Sequence, residues 1–146
     1  MEAAWEVSGS TLVRYTGNDR EIVIPDGISE IAGNAFRGNK KITSLIIPNR
    51  INKIGYRAFS NCTALQTVKI ADIHIIDIYA FSGCTSLQDV CLPDNTMVSI
   101  TFGAFKMSMK IHCEVSPFHR CSACASYSVR TKETLQALIC KVSYGL

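Results

Sequence analysis

A short segment near the C-terminus has the residue types and spacing of a metal site. His119, Cys121 and Cys124 form the pattern His-x-Cys-x-x-Cys. Two thiolates separated by two residues can share one zinc ion at about 2.3 Å, so zinc binding is one interpretation. A structural zinc site usually needs a second ligand pair of similar spacing, and the sequence offers none. We therefore favour reduced, mostly buried thiols, and we expect no cofactor.

No catalytic motif accompanies this segment. Residues 33–40 superficially resemble a phosphate-binding loop, but Lys40 does not directly follow the second glycine and no Ser or Thr comes next. Neither a zinc-protease motif nor a nucleophile elbow is present. The sequence predicts a protein that is not an enzyme.

The bulk composition is that of a folded globular chain. Hydrophobic residues make up 47% of the 146 residues and charged residues 18%, which argues against disorder. Fifteen basic and twelve acidic residues nearly cancel, so we expect no nucleic-acid partner. No apolar run approaches the roughly 20 residues of a membrane span.

The cysteines and the N-terminus bear on the compartment. Seven cysteines with irregular spacing make a poor disulfide framework and favour reduced thiols. Residues 1–7 show no basic region followed by an apolar stretch. As written, the chain is predicted to be cytoplasmic, or to lie at the cell surface if it is a fragment of a secreted parent.

The sequence contains an internal repeat. The dipeptide Ala-Phe recurs at intervals of 23, 22 and 24 residues, beginning at Ala35, Ala58, Ala80 and Ala104. Other columns keep this spacing, among them the polar or thiol column Asn39, Cys62, Cys84 and Ser108, and the branched pairs Leu45 and Ile47, Val68 and Ile70, Val90 and Leu92. Repeats of this length indicate a solenoid.

One unit can be interpreted physically. Leu45 and Ile47 have the period-two spacing of a half-buried strand, and Pro48 ends it because proline cannot donate to the ladder. Ile51 and Ile54 then form a second extended segment. The following Ala-Phe lies on a turn or short helical piece with Phe in the interior, and the Asn/Cys column points inward to bond or pack against the turn.

The unit resembles the BspA-like leucine-rich repeat, in the pattern Leu45-x-Ile47-Pro48, Ile51-x-x-Ile54-Gly55, Ala58-Phe59 and Asn61-Cys62-x-x-Leu65. The resemblance covers roughly residues 5–113. It implies a leucine-rich-repeat solenoid with parallel short strands, and in many members cell-surface adhesion or host-protein binding. The departures from the pattern are Ala71, Asp77, Thr101, Asn39 and Ser108.

The predicted organisation has three parts. Residues 1–20 form an N-terminal hairpin cap, and residues 21–113 form about four repeats of 22–24 residues. Residues 114–146 form a cysteine-containing C-terminal cap with a helix near 132–143, although this helix could instead pack against another chain.

The outward side chains of the main strands form the predicted binding surface. Because the strands of successive repeats lie side by side, these residues align across the repeats in two rows, which we call files. The first file is Glu21, Ser44, Thr67 and Asp89, and the second is Val23, Ile46, Lys69 and Cys91. Solenoids bind through such extended surfaces, and a merely solvated sheet face is the alternative. The predicted function is a protein–protein interaction module, with surface adhesion implied by the family. An intracellular adaptor or assembly subunit, a small zinc-binding module that uses the tail, and a homo-oligomer formed through a solenoid end stay open.

Overall fold

A computed structural model describes residues 4–92, 99–100 and 110–113. Short strands in these ranges form two sheets joined by turns. The main sheet contains β3 (Glu21–Val23), β5 (Ser44–Ile47), β7 (Thr67–Ile70), β9 (Asp89–Leu92) and β11 (Lys110–Cys113). The second sheet contains β1 (Trp5–Ser8), β2 (Thr11–Tyr15), β4 (Glu30–Ile31), β6 (Lys53–Ile54), β8 (Ile75–Ile76) and β10 (Ser99–Ile100). The chain is thus a solenoid, as the repeat predicts.

The main sheet is parallel throughout its described strands, in the order β11-β9-β7-β5-β3. Its register follows the sequence repeat, because Leu45 lies opposite Val68 and Ile47 opposite Ile70. These four side chains are buried while their neighbours along each strand are more exposed. The alternation predicted from the sequence is therefore confirmed.

The second extended segment of each repeat also forms a ladder. Its strands are only two residues long from β4 onward, and each pairs in parallel with the next. Ile31, Ile54 and Ile76 are consecutive partners in this ladder and are all fully buried. The two sheets therefore enclose one core between them.

A third set of backbone bonds joins the Ala-Phe turns. The amide of Phe36 donates to the carbonyl of Ala58 at 2.7 Å, and the amide of Phe59 donates to Ala80 at 2.8 Å. The intervening amide of Ala58 bonds locally, to the carbonyl of Gly55 at 3.1 Å. Alternate amides thus point to the next repeat, so each turn is held by its neighbour as well as by itself.

This alternation depends on left-handed backbone at two recurring positions. Before the three Ala-Phe pairs that the structure describes, the positive-φ residues are Asn34 (φ 62°), Arg57 (φ 53°) and Tyr79 (φ 57°). Three residues after each Ala they are Gly38 (φ 74°), Asn61 (φ 59°) and Gly83 (φ 75°). Gly and Asn tolerate this conformation, whereas a bulky side chain there is an outlier.

Aromatic rings stack along the core beneath these turns. The ring centroids of Phe36 and Phe59 are 4.6 Å apart and those of Phe59 and Phe81 are 5.0 Å apart, nearly parallel in both pairs. Tyr15 of the N-terminal hairpin stacks on Phe36 at 5.2 Å, and Trp5 lies 4.5 Å from Tyr15. The hairpin therefore covers the exposed end of the aromatic column, which confirms the predicted N-terminal hairpin cap.

The Asn/Cys column points inward and bonds the neighbouring turns. The thiol of Cys62 donates to the carbonyl of Phe36 at 3.2 Å, and that of Cys84 donates to Phe59 at 3.1 Å. In the first repeat the oxygen of Asn39 accepts from the amides two and three residues further on, at 2.9 and 3.1 Å. The hydrogen bond with Cys84, together with burial, raises the pKa of the Cys62 thiol.

Several predictions fall on residues outside the described ranges. The helix near 132–143 and the rest of the predicted C-terminal cap, residues 114–146, lie there. The three domain boundaries stay predictions. Within the described ranges, no helix has the length and apolar character to cross a bilayer.

Candidate functional site

The structure pairs the residues of the first predicted file across neighbouring strands. Parallel pairing places Glu21 opposite Ser44, Ser44 opposite Thr67 and Thr67 opposite Asp89. Glu21 and Thr67 are exposed, and Ser44 is half-buried. This file is polar, so water can solvate this side of the main sheet.

The second file contains the apolar part of the surface. Val23 lies opposite Ile46 and is 57% exposed, while Ile46 is 40% exposed. Lys69 follows Ile46 in register and is exposed. Two branched side chains on neighbouring strands therefore adjoin one lysine on the main sheet, and this lysine makes a further interaction of its own.

Cys91 differs from the rest of its file. It lies opposite Lys69 as predicted, yet only 8% of its surface is exposed. Its side chain is shorter than those of Ile46 and Lys69, whose strands are also interior to the sheet, so it offers little area to a partner. The accessible part of the file is accordingly Val23, Ile46 and Lys69.

The backbone beneath this surface is held by a continuous ladder. The amide of Ile24 donates to the carbonyl of Ile46 at 3.1 Å, and the amide of Thr43 donates to Arg20 at 2.7 Å. A backbone held in this way is ordered before a partner arrives, which lowers the ordering cost of binding.

The second sheet has a different surface chemistry. The ammonium of Lys53 lies 3.9 Å from a carboxylate oxygen of Glu30 and 3.7 Å from one of Asp77. All three side chains are partly exposed, so these pairs contribute little to stability. One ammonium lies against two carboxylates, so this cluster stays net negative.

A second cluster, which the sequence reasoning missed, lies where the second sheet meets the Ala-Phe turns. The guanidinium carbon of Arg57 is 5.0 Å from the ring centroid of Tyr56 and 5.7 Å from that of Tyr79. Ile78 is exposed, and its carbonyl accepts from the amide of Arg57 at 3.2 Å. We call Tyr56, Arg57, Ile78 and Tyr79 the tyrosine–arginine patch.

Metal binding receives no support from the part of the chain that the structure describes. No group of three His, Cys, Asp or Glu side chains there could hold an ion. The candidates His119, Cys121 and Cys124 lie outside the described residues. Zinc binding by the tail is therefore still a prediction.

Comparison with protein families identifies the repeat. The BspA-type leucine-rich repeat region matches residues 9–129 in six copies. The chain belongs to this family. The matched region extends past residue 113, where the sequence reasoning placed the end of the repeats, and curated protein sequences gave no match.

Solved structures share the fold of this leucine-rich-repeat chain. A leucine-rich repeat protein from Bacteroides capillosus is 20% identical over 77% of this chain and all of its own, with a TM-score of 0.61. The pneumococcal vaccine antigen PcpA is 24% identical over 72% of this chain, with a TM-score of 0.56. A leucine-rich cell surface protein from Faecalibacterium prausnitzii is 23% identical over 73%, with a TM-score of 0.51.

The leucine-rich-repeat chain is shorter than two of these relatives. Its match spans 24% of PcpA and 36% of the Faecalibacterium protein. At these identities the likeness shows the solenoid fold and leaves the partner to be argued from the surface.

Proposed function

We propose that this leucine-rich-repeat chain is a protein-interaction module that binds a protein partner through the main sheet. The observation that carries the proposal is the adjacent exposure of Val23 and Ile46 on a hydrogen-bonded parallel sheet. A fully buried branched side chain contributes about 1.5–3 kcal/mol relative to an exposed one. A partner that covers both would gain a useful part of its binding energy there.

The residues around this apolar centre suit the rim of an interface. Glu21, Ser44 and Thr67 belong to the polar first file beside the apolar centre. Lys69 adjoins Ile46 in the second file. Protein interfaces combine an apolar centre with a polar and hydrated rim. The proposed contact set is the predicted one, namely Glu21, Val23, Ser44, Ile46, Thr67, Lys69, Asp89 and Cys91, with Cys91 contributing least.

Display at the cell surface, with a role in adhesion, is the finer part of the proposal. It is supported by the family and by fold relatives that include a vaccine antigen and a cell surface protein. Two of the seven cysteines are compatible with this location. Cys62 and Cys84 are fully buried within the repeats, so they can stay reduced in an oxidising compartment as well as in the cytosol.

The competing function is an intracellular adaptor or assembly subunit, which would use the same sheet. Protease treatment of intact cells separates the two locations. Digestion of the protein on intact cells supports surface display. Protection until the cells are lysed, with the protein in the cytosolic fraction, would overturn the adhesion part and leave the binding part standing.

The binding experiment compares matched apolar positions on the two sheets. Ile46→Glu places a charge on the main sheet at a residue that is 40% exposed, and Ile75→Glu does so on the second sheet at one that is 41% exposed. The double variant Val23→Glu/Ile46→Glu tests the whole apolar centre. Circular dichroism checks that all three variants fold.

Partners captured from lysate and from cell-surface extract are identified, purified and titrated against each variant. We expect the double variant to lose at least tenfold in affinity, because two buried charges replace two apolar contacts. Ile75→Glu should bind as wild type does. Three results would contradict binding through the main sheet. They are an equal loss of affinity in the double variant and in Ile75→Glu, wild-type affinity in both of these variants, and the capture of no partner from either extract.

A further inference from the structure

The tyrosine–arginine patch has the side-chain chemistry of a recognition site. Tyr56 is 43% exposed and its ring lies 6.4 Å from that of Tyr79. Both rings contact the guanidinium of Arg57. Tyrosine and arginine are enriched among the residues that dominate binding energy at protein interfaces.

Arg57 has hydrogen-bonding capacity left over. A guanidinium carries five N–H donors, and within the described ranges no carboxylate lies at ion-pair distance from this one. Lys53, on the neighbouring sheet, is held between two carboxylates instead. Contact with aromatic rings uses the face of a guanidinium and leaves donors for a bidentate acceptor.

The patch carries bulky side chains at two positions where the fold requires left-handed backbone. Arg57 and Tyr79 have φ values of 53° and 57°, in the left-handed region. The first repeat fills the same position with Asn34, a residue type that tolerates this region. Two repeats thus carry bulky residues where a small polar one would fold more easily. Such local cost is typical of positions that serve a function.

Arg57 is also fixed in place. Its amide donates to the carbonyl of Ile78, and its carbonyl accepts from the amide of Ser60 at 3.0 Å. The carbonyl of Tyr56 accepts from the amide of Asn34 at 3.0 Å. A backbone bonded on both sides removes the backbone part of the ordering cost on binding, and the two ring contacts reduce the side-chain part.

We infer that the tyrosine–arginine patch is a second interaction surface, which binds an acidic peptide segment of a protein partner. The carboxylate of a Glu or Asp pairs with Arg57, and an apolar residue beside it packs on Tyr56 and Ile78. Charge complementarity selects this occupant, since the patch presents a cation that the described residues leave without an anion. The inference does not depend on binding through the main sheet.

The test begins with a displayed random library of 12-residue peptides, selected on the wild-type chain and counter-selected on Arg57→Ala. We expect the recovered peptides to contain Asp or Glu next to an apolar residue. The best peptide is then synthesised with its acidic residues intact and, as its matched partner, with each replaced by the corresponding amide. Both are titrated against purified protein by fluorescence anisotropy.

Binding of the acidic peptide should weaken at least tenfold with Arg57→Ala and with the amide peptide, because a charge-assisted bidentate contact is lost. Arg57→Lys should recover only part of the affinity, since an ammonium cannot form the planar pair. Arg37→Ala, an exposed arginine on the preceding turn, is the matched control and should leave binding unchanged. Thermal unfolding of each variant separates a binding loss from a folding loss.

Three results would overturn the inference. The first is a recovered peptide set without acidic enrichment, or no recovered binder at all. The second is equal affinity for the acidic and amide peptides. The third is the absence of acidic-peptide binding together with another use of the patch. If Arg57→Ala loses self-association in sedimentation, the patch binds a second copy of the chain. If the protein binds a glycan array through Tyr56, the patch binds a carbohydrate.

Discussion

Gly55→Ala tests how closely successive turns approach each other. A Cβ at this position would stand 2.7 Å from the amide nitrogen of Gly33 and 2.9 Å from both the carbonyl carbon of Ala32 and the carbonyl oxygen of Ile31. All three atoms belong to the backbone of the preceding repeat, so they cannot move aside as a flexible side chain would. The amide of Gly55 also donates to Ile31 at 2.8 Å, and relief of the overlap would stretch this bond.

Two opposing effects decide the sign of this change. Replacing Gly by Ala removes conformational freedom from the unfolded chain and would stabilise by about 0.4–1 kcal/mol if the space were open. Overpacking costs about 1–3 kcal/mol. We therefore expect Gly55→Ala to lower the free energy of unfolding by about 1–2 kcal/mol, measured by urea titration with circular dichroism and the fluorescence of Trp5, the one tryptophan in the chain.

Gly33→Ala is the matched control for this prediction. Its Cβ would come no closer than 3.1 Å, to the carbonyl oxygen of Tyr56, and its next contacts are at 3.9 Å. The steric cost is therefore smaller and the entropic gain is the same. Stability equal to or above wild type in Gly55→Ala, or a larger loss in Gly33→Ala, would refute the close approach of the turns.

Two further predictions concern the core. Phe59→Ala should cost about 3–5 kcal/mol in the same titration, because this fully buried ring loses both stacking partners; a loss below about 1 kcal/mol would contradict the stack. The raised pKa of Cys62 means that the unfolded chain gives up its thiol proton at lower pH than the folded chain does. This contribution to stability is full below the unfolded pKa of about 8.5 and is lost as pH rises above it. The pKa of Cys84 is lowered by its hydrogen bond with Cys62 and would be raised by burial if Cys62 alone were removed, so the test removes both thiols. The pH slope of stability above about 8.5 should be shallower in Cys62→Ser/Cys84→Ser than in wild type, and identical slopes would contradict the assignment.

The sequence predicted the main sheet because a repeat fixes its own register. Once Leu45, Val68 and Val90 are placed in one column, parallel stacking sets which residues are neighbours across strands. The same reasoning put Val23 beside Ile46, and the pairing confirms it. Errors of register are rare in such a chain, since a slip of one residue would turn every buried side chain outward.

The exposure of each file member could not be predicted in the same way. Register says which residues face the same side, whereas exposure depends on the length of a side chain and on what lies beyond its strand. Cys91 illustrates the difference, because its position in the file was correct and its side chain is nonetheless buried.

The tyrosine–arginine patch was missed for a separate reason. Asn34 is a recognisable signal for left-handed backbone, but Arg57 and Tyr79 are not, since bulky residues rarely adopt it. Their conformation is imposed by bonds to neighbouring turns, such as the one from the amide of Arg57 to Ile78. The available signal was the repeat column of Asn34, Arg57 and Tyr79. The first repeat carries Asn, which the left-handed turn prefers, and the next two repeats do not.

The stacking of the repeats would allow one small fold to support the two proposed surfaces. Each repeat contributes inward residues that are fully buried, such as Leu45, Ile54 and Phe59, and their replacement costs stability. It also contributes outward residues to the main sheet and to the turns. Examples are Ile46, which is 40% exposed, and Arg57, whose guanidinium packs on two tyrosine rings at the surface and not in the core. Because the stability of a solenoid is close to a sum over repeats and their interfaces, outward residues can change without weakening the stack. Binding through the main sheet and binding through the patch should therefore be separable by mutation.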